Sequence, residues 1–317
     1  MSDTSAAPLS RRRRSRRALA ALVGPLAFIL LIAYVISQHG ADIDRAVSHT
    51  PVSTLVLVTM LGVIALASRA ETAVCCLAAM GDRPSRLDIH PASAAAFVVG
   101  TVNHYVASPA RAAVLKRLDG ERAPSIPQML LVDASTYLVE GLLAAVLLVI
   151  SASALKLRWW MPVLAVLGAV AALMVALALR GRLARHPALR GLDMLAHSRQ
   201  RLVVLGLSLV IFASQIVRTL LVLRATGLHP TLLQAAATFV AAGVLSSLIT
   251  GPAAGTAGAP LIIFGHSAIG AAAAAGLILS ITALFAALLY AAICAPVYVH
   301  RIRRPARKSH EPGLSPT

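Results

Sequence analysis

The sequence predicts an all-α polytopic membrane protein with about six full transmembrane helices and two re-entrant hairpins. Three observations carry that reading. Hydrophobic residues make up 58% of the 317, the mean hydropathy is +0.80, and only 13% of residues are charged. Such a composition belongs to membrane-embedded chains rather than soluble domains. The apolar residues fall into eight segments separated by basic or turn-forming stretches. Two of those segments carry Pro-containing interruptions, and lipid tolerates broken backbone only where protein or a polar cavity covers it.

Residues 1–17 form a basic tail that includes RRRRSRR, Arg11 to Arg17. The apolar run Ala18 to Ser37 is too long for a signal-peptide core and lacks a clean small-residue cleavage site, so it reads as a signal anchor. A short acidic loop with Asp42 and Asp44 follows. Segment 2 covers Pro51 to Ser68, and its helix is expected to continue amphipathically through Arg69 and Glu71 to Met80.

The third segment, about 91–110, begins as a membrane helix and turns polar at Asn103, His104 and Tyr105. Ser108-Pro109, Arg111 and the pair Lys116-Arg117 follow. Pro109 lacks a backbone donor and disfavours helix at Ser108, so a helix entering from Ala92 is expected to break there. Segment 4, Pro127 to Ile150, has Pro127 suited to a first helical turn. Segment 5, Trp159 to Leu179, opens on the interfacial pair Trp159-Trp160.

The polar stretch Arg180 to Arg201 is too short to fold as a soluble domain. Segment 6 is Leu202 to Leu223. Segment 7 starts near Thr231 and meets a second interruption, GPAAGTAGAP, at Gly251 to Pro260, before the short apolar piece Leu261 to Gly265. Segment 8 spans about Ala268 to Val299. Residues 300–317 form a basic, Pro-containing tail expected to stay solvated. Residues 18–299 thus make one transmembrane unit.

Lysine and arginine placement decides the topology. If every segment spans, basic residues divide between the two faces. If 91–110 instead dips in from the cytoplasm, and 231–266 dips in from outside, only Arg45, Lys156, Arg158 and Arg224 remain outside. Arg218, within segment 6, is counted on neither side. The second arrangement satisfies the positive-inside rule far better and puts both termini in the cytoplasm. Two broken hairpins entering from opposite faces are the pattern of an inverted repeat with a site near the midplane.

Charges inside the apolar segments mark function or pairing. Asp133, Tyr137 and Glu140 are spaced i, i+4 and i+7 and share one helical face. Glu140 lies about 20 Å along its helix and Arg218 about 24 Å along segment 6. The two are therefore expected to be partners. From Met194 to His310 there is no Asp or Glu, so the second half suits an anionic headgroup better than a cationic one.

The site itself is expected where the interruptions meet. Asn103, His104, Tyr105, Pro109 and Arg111 would come from the first hairpin, facing Gly251, Pro252, Gly255 and Gly258 of the second. The arginine fork matches phosphate oxygens. The glycines are read mainly as allowing close helix approach.

The sequence also excludes several chemistries. It has no Ser/His/Asp set, HExxH or paired-carboxylate arrangement on any plausible face, so no catalytic residue, metal or cofactor is expected. Cys75, Cys76 and Cys294 form neither a disulfide framework nor a CxxC pair. The net charge of +17 is scattered between apolar segments, which points to headgroups and topology rather than nucleic acid.

The first hairpin, TVNHYVASPARAAVLKRL, resembles the N-x-x-x-x-x-P-x-R stretch of the lysylphosphatidylglycerol synthase transmembrane-region family, also called the flippase-like domain. The following helix with early acids, and the Pro/Gly-rich interruption before the last helix, resemble it too, over about residues 18–299. The resemblance carries over to Asn103, Pro109 and Arg111. Two departures stand out. Ala112 and Ala113 occupy the place of a Gly-Glu pair, and Pro252-Ala253-Ala254-Gly255 replaces a PGGxG run followed by Glu.

The resemblance implies binding and translocation of a phospholipid or other anionic-headgroup lipid across the cytoplasmic membrane. The alternative is a membrane subunit or scaffold for a partner aminoacyl- or glycosyl-transferase.

Overall fold

The computed structural model describes residues 43–81, 85–102, 104–120, 123–152, 198–248, 252–264 and 268–303, with a few isolated positions besides. Every long element among them is an α-helix. In chain order these are α1 (Val52–Ala79), α2 (Arg86–Val102), α3 (His104–Asp119), α4 (Ile126–Ile150), α5 (Ser198–Ala225), α6 (Leu232–Leu248), α7 (Pro252–Phe264) and α8 (Ile269–Arg303).

Helices α1, α4 and α8, and α5 from Gln200 onward, are long and apolar enough to cross a membrane. Large apolar side chains such as Val56 and Ile64 on α1, and Ile281 and Phe285 on α8, face outward. Only a lipid surround makes that arrangement inexpensive. The chain is therefore an all-helical, multi-pass membrane protein. The expected first segment (18–37), most of the fifth (Trp159 to Leu179) and the tails 1–17 and 304–317 lie outside the described residues.

Helices α2 and α3 form an antiparallel hairpin. Ile89 and Ala92 of α2 share a buried cluster with Ala112 and Leu115 of α3, and a Cβ added at Gly100 would lie 3.2 Å from that of Ala107. The expected break at Ser108 is not where the chain turns. One helix ends at Val102 and the next begins at His104, leaving Pro109 as the sixth residue of α3. Pro109 forfeits a single helical hydrogen bond there. Continuing the helix keeps Ser108 and Arg111 one turn apart on the same face, where both reach Asp133.

The second hairpin also turns earlier than expected. Helix α6 ends at Leu248 and α7 starts at Pro252, so most of GPAAGTAGAP is helical rather than broken. Proline at a first helical position costs nothing, since its missing donor would be unpaired anyway. The arms touch at Gly255, where an added Cβ would lie 2.1 Å from Ser246 Oγ and 2.5 Å from the Ala242 carbonyl oxygen.

Buried clusters fix which ends lie together. One cluster joins Ala73 to Met80 at the end of α1, the outer ends of α2 and α3, Met129 and Val132 early in α4, and Val204 early in α5. Another joins Val58 early in α1, Val222 and Leu223 late in α5, Ala235 early in α6, and Ala275 to Leu279 early in α8. Phe264, at the end of α7, packs against this second cluster. The two hairpins therefore open at opposite ends of the bundle.

Helices α1 and α5 run antiparallel, with Ala65 against Ile211 and Phe212 between the two clusters. Helix α8 crosses α1 closely enough that a Cβ on Gly62 would sit 2.7 Å from that of Ala286. Exposed Arg86, Lys116, Arg117, Arg201 and Arg303 gather at the end where the first hairpin opens.

Candidate functional site

The site grows from the start of α4. Ser125 and Gln128 form a capping box, and Pro127 sits in the first turn, so the helix begins at a defined residue. Its periodicity then places Asp133, Tyr137 and Glu140 on one face. That face meets Arg111 from α3, Arg69 from α1 and Phe97 from α2 around a cavity of about 40 Å³.

Two charge pairs close the cavity. Arg111 Nη1 donates to Asp133 Oδ1 at 2.8 Å, and Ser108 Oγ donates to Asp133 Oδ2. The Arg111 guanidinium also lies 5.8 Å from the centre of the Phe97 ring, within cation–π range. Arg69 Nη2 donates to Glu140 Oε2 at 2.9 Å. Two arginines face two carboxylates, so the formal charge balances.

Hydrogen bonding does not balance in the same way. Arg111 Nε and Glu140 Oε1 are buried and find no hydrogen-bond partner among the described residues. A buried donor and acceptor left unmade in this way cost free energy unless something else meets them. The cavity has room for a few waters. Of its lining, Arg69, whose side chain is 38% exposed, and the half-exposed Tyr137 are the accessible residues. Arg111, at 6%, is reached only from within.

A second polar network ties the first hairpin to α1 and α8 at the basic end. His90 Nε2 lies 3.0 Å from Glu71 Oε1, and its Nδ1 lies 2.6 Å from the Tyr290 hydroxyl. With the ring neutral, the nitrogen facing Glu71 carries the proton and the other accepts from Tyr290. Arg86 pairs with the second oxygen of Glu71 at 3.4 Å, and Arg301 pairs with Asp88 at 3.3 Å.

Several expected site residues fall elsewhere. Asn103 and Gly251 lie outside the described residues, as do the side chains of His104, Tyr105 and Pro252. The described parts of the hairpins touch along α2 and α7. They do not bring Arg111 and the glycines around one cavity. Gly255 is occupied by its approach to α6, and Gly258 faces Leu245 of the same hairpin.

The expected Glu140–Arg218 pair is also corrected. Glu140 belongs to Arg69, while Arg218 donates to Gln215 Oε1, the Leu279 carbonyl and Thr282 Oγ1. Similar depth along two helices does not make them neighbours, and α1 supplies the nearer cation.

Arg69 is the residue the sequence reading missed. Its signal was available, since it follows a long stretch of α1 that carries no charge and a cation at such depth needs a partner. No family model matches the chain, and no curated protein matches it either.

Proposed function

We propose that the protein binds a phospholipid, or another lipid with an anionic headgroup, at the Arg69–Glu140 and Arg111–Asp133 cluster, and passes it across the cytoplasmic membrane. In this reading the chain has six full crossings, two re-entrant hairpins and cytoplasmic termini. The order long helix, hairpin, long helix occurs twice, as α1 to α4 and as α5 to α8. With hairpins opening at opposite ends, this order supports an inverted repeat.

One observation carries the functional reading. Buried Arg111 Nε and Glu140 Oε1 find no partner among the described residues beside a cavity that Arg69 and Tyr137, the more exposed residues of its wall, also line. Each arginine is already held by a carboxylate, so an arriving phosphate exchanges for that carboxylate. Arg69, the more exposed cation, makes the first contact, and the Arg111 fork completes recognition.

The test is binding of short-chain phosphatidylglycerol to the purified protein. Arg111→Lys keeps the charge but loses the fork, and should weaken binding about tenfold with little change in melting. Wild-type affinity in that variant would overturn the assignment.

A further inference from the structure

The second half of the molecule contains a buried cation that no carboxylate among the described residues neutralises. Arg218 is 5% exposed in α5. Its Nη1 donates to Gln215 Oε1 at 3.1 Å, and its Nη2 donates to the Leu279 carbonyl and to Thr282 Oγ1 at 2.9 Å. Its Nε is buried without a partner among the described residues. All three acceptors are neutral.

The carboxylates of the described helices are committed elsewhere. Glu71 is held by His90 and Arg86, Asp88 by Arg301, Asp133 by Arg111 and Glu140 by Arg69. Asp119 ends α3, at the opposite end of the bundle, and Asp44 is exposed. The two apolar stretches that lie mostly outside the described residues, 18–37 and 159–179, contain no Asp or Glu, and none occurs between Met194 and His310. A guanidinium so placed in an apolar helix is costly unless an anion accompanies it.

The first half shows what a completed version looks like. In each half an arginine in the second half of the first long helix reaches across to the last long helix. Arg69 of α1 reaches Glu140 of α4, and Arg218 of α5 reaches Leu279 and Thr282 of α8. A carboxylate answers the first arginine, and only a hydroxyl and a carbonyl answer the second. Arg218 lies about 10 Å from the end of α5, and Arg69 about 15 Å from the end of α1, at opposite ends of the bundle.

We propose that Arg218, with Gln215 and Thr282, forms a second anion site that takes a phosphate-type oxyanion group, supplied by a lipid headgroup or by free phosphate. Arginine favours oxyanions because its planar donors match their oxygens. The site stands apart from the Arg69–Arg111 cluster, and its argument does not depend on that cluster's function.

The experiment is thermal unfolding of the purified full-length protein in neutral detergent at constant ionic strength. Inorganic phosphate and short-chain phosphatidylglycerol are titrated separately, with chloride as the control. A ligand that binds only the folded state raises the midpoint progressively with concentration. A rise with phosphate assigns a free oxyanion, and a rise with the lipid alone assigns a headgroup. Either result supports the site once the variants are compared.

The comparison is made in an Arg111→Lys background, where lipid binding at the first site is already weakened. There Arg218→Gln should weaken the remaining response at least about tenfold. In Thr282→Glu a built-in carboxylate replaces the ligand. That variant should melt higher without ligand and no longer respond to it. Arg111→Lys alone should lose only the part of the lipid response that belongs to the first site, which separates failure here from failure there. A wild type indifferent to both ligands, an equal response to chloride, or a response that Arg218→Gln leaves unchanged in the Arg111→Lys background would each overturn the proposal.

Discussion

Arg69 of α1 and Glu140 of α4 are joined by a 2.9 Å ion pair between two helices long and apolar enough to cross a membrane. Glu140 is buried while Arg69 is partly exposed, so the pair joins the interior of the cavity to its accessible edge. Helix α3 inserts beside it and adds the Arg111–Asp133 pair, which makes the first hairpin part of the same electrostatic unit.

Breaking that unit on one side should be worse than removing it. Arg69→Ala leaves the Glu140 carboxylate buried and alone, at an expected cost of about 2–3 kcal/mol. The double variant Arg69→Ala/Glu140→Ala should recover much of the loss. Arg218→Ala and Glu140→Ala have no shared contact, and should add within about 0.5 kcal/mol. Melting of the single and double variants in detergent checks both statements. A coupling between Arg218 and Glu140 as large as that between Arg69 and Glu140 would contradict the pairing.

The second hairpin makes a sharper steric prediction. Gly255→Ala drives a methyl group into Ser246 Oγ and the Ala242 carbonyl, and should destabilise the protein by about 1–3 kcal/mol or more. Gly258→Ala meets nothing closer than Leu245 Cδ1 at 3.7 Å, and should melt near the wild type. Comparing the two midpoints tests whether the glycines serve close packing. Equal tolerance at both positions would show that α6 and α7 do not touch as described.

Topology is checked by labelling. In a background lacking Cys75, Cys76 and Cys294, single cysteines are placed at Val47, His229, Ala113 and Ile302, all of them exposed positions. An impermeant thiol reagent applied to intact cells should modify Val47→Cys and His229→Cys but spare Ala113→Cys and Ile302→Cys. Labelling of Ala113→Cys alone would mean that the first hairpin crosses the membrane instead of returning.

The network at the basic end gives a smaller effect. Tyr290→Phe removes the hydroxyl that meets His90 Nδ1 and should cost about 1 kcal/mol. His90→Ala in the same background should then cost less than it does alone, because the contact is already lost. Strictly additive midpoint shifts would show that the two residues do not cooperate.

Much of the architecture follows from the order of residues. Long apolar runs must become helices in lipid because no other local structure satisfies the backbone there. The runs that became α1, α4, α5 and α8 were legible for that reason, with ends displaced by only a few residues. The shared face of Asp133, Tyr137 and Glu140 follows from helical geometry, and all three line the same cavity.

Tertiary structure decided what those residues touch. Pro109 and Pro260 sit inside helices that local preference would break, because packing rewards an unbroken face more than one missing hydrogen bond costs. Glu140 found Arg69 rather than Arg218 because helix neighbours are chosen by how the whole bundle packs, not by depth along each helix. Gly255 became a contact point between α6 and α7 only when the hairpin closed. Sequence determines which side chains need partners in a low-dielectric interior. The three-dimensional packing of α1, α3 and α4 determines which partners they receive.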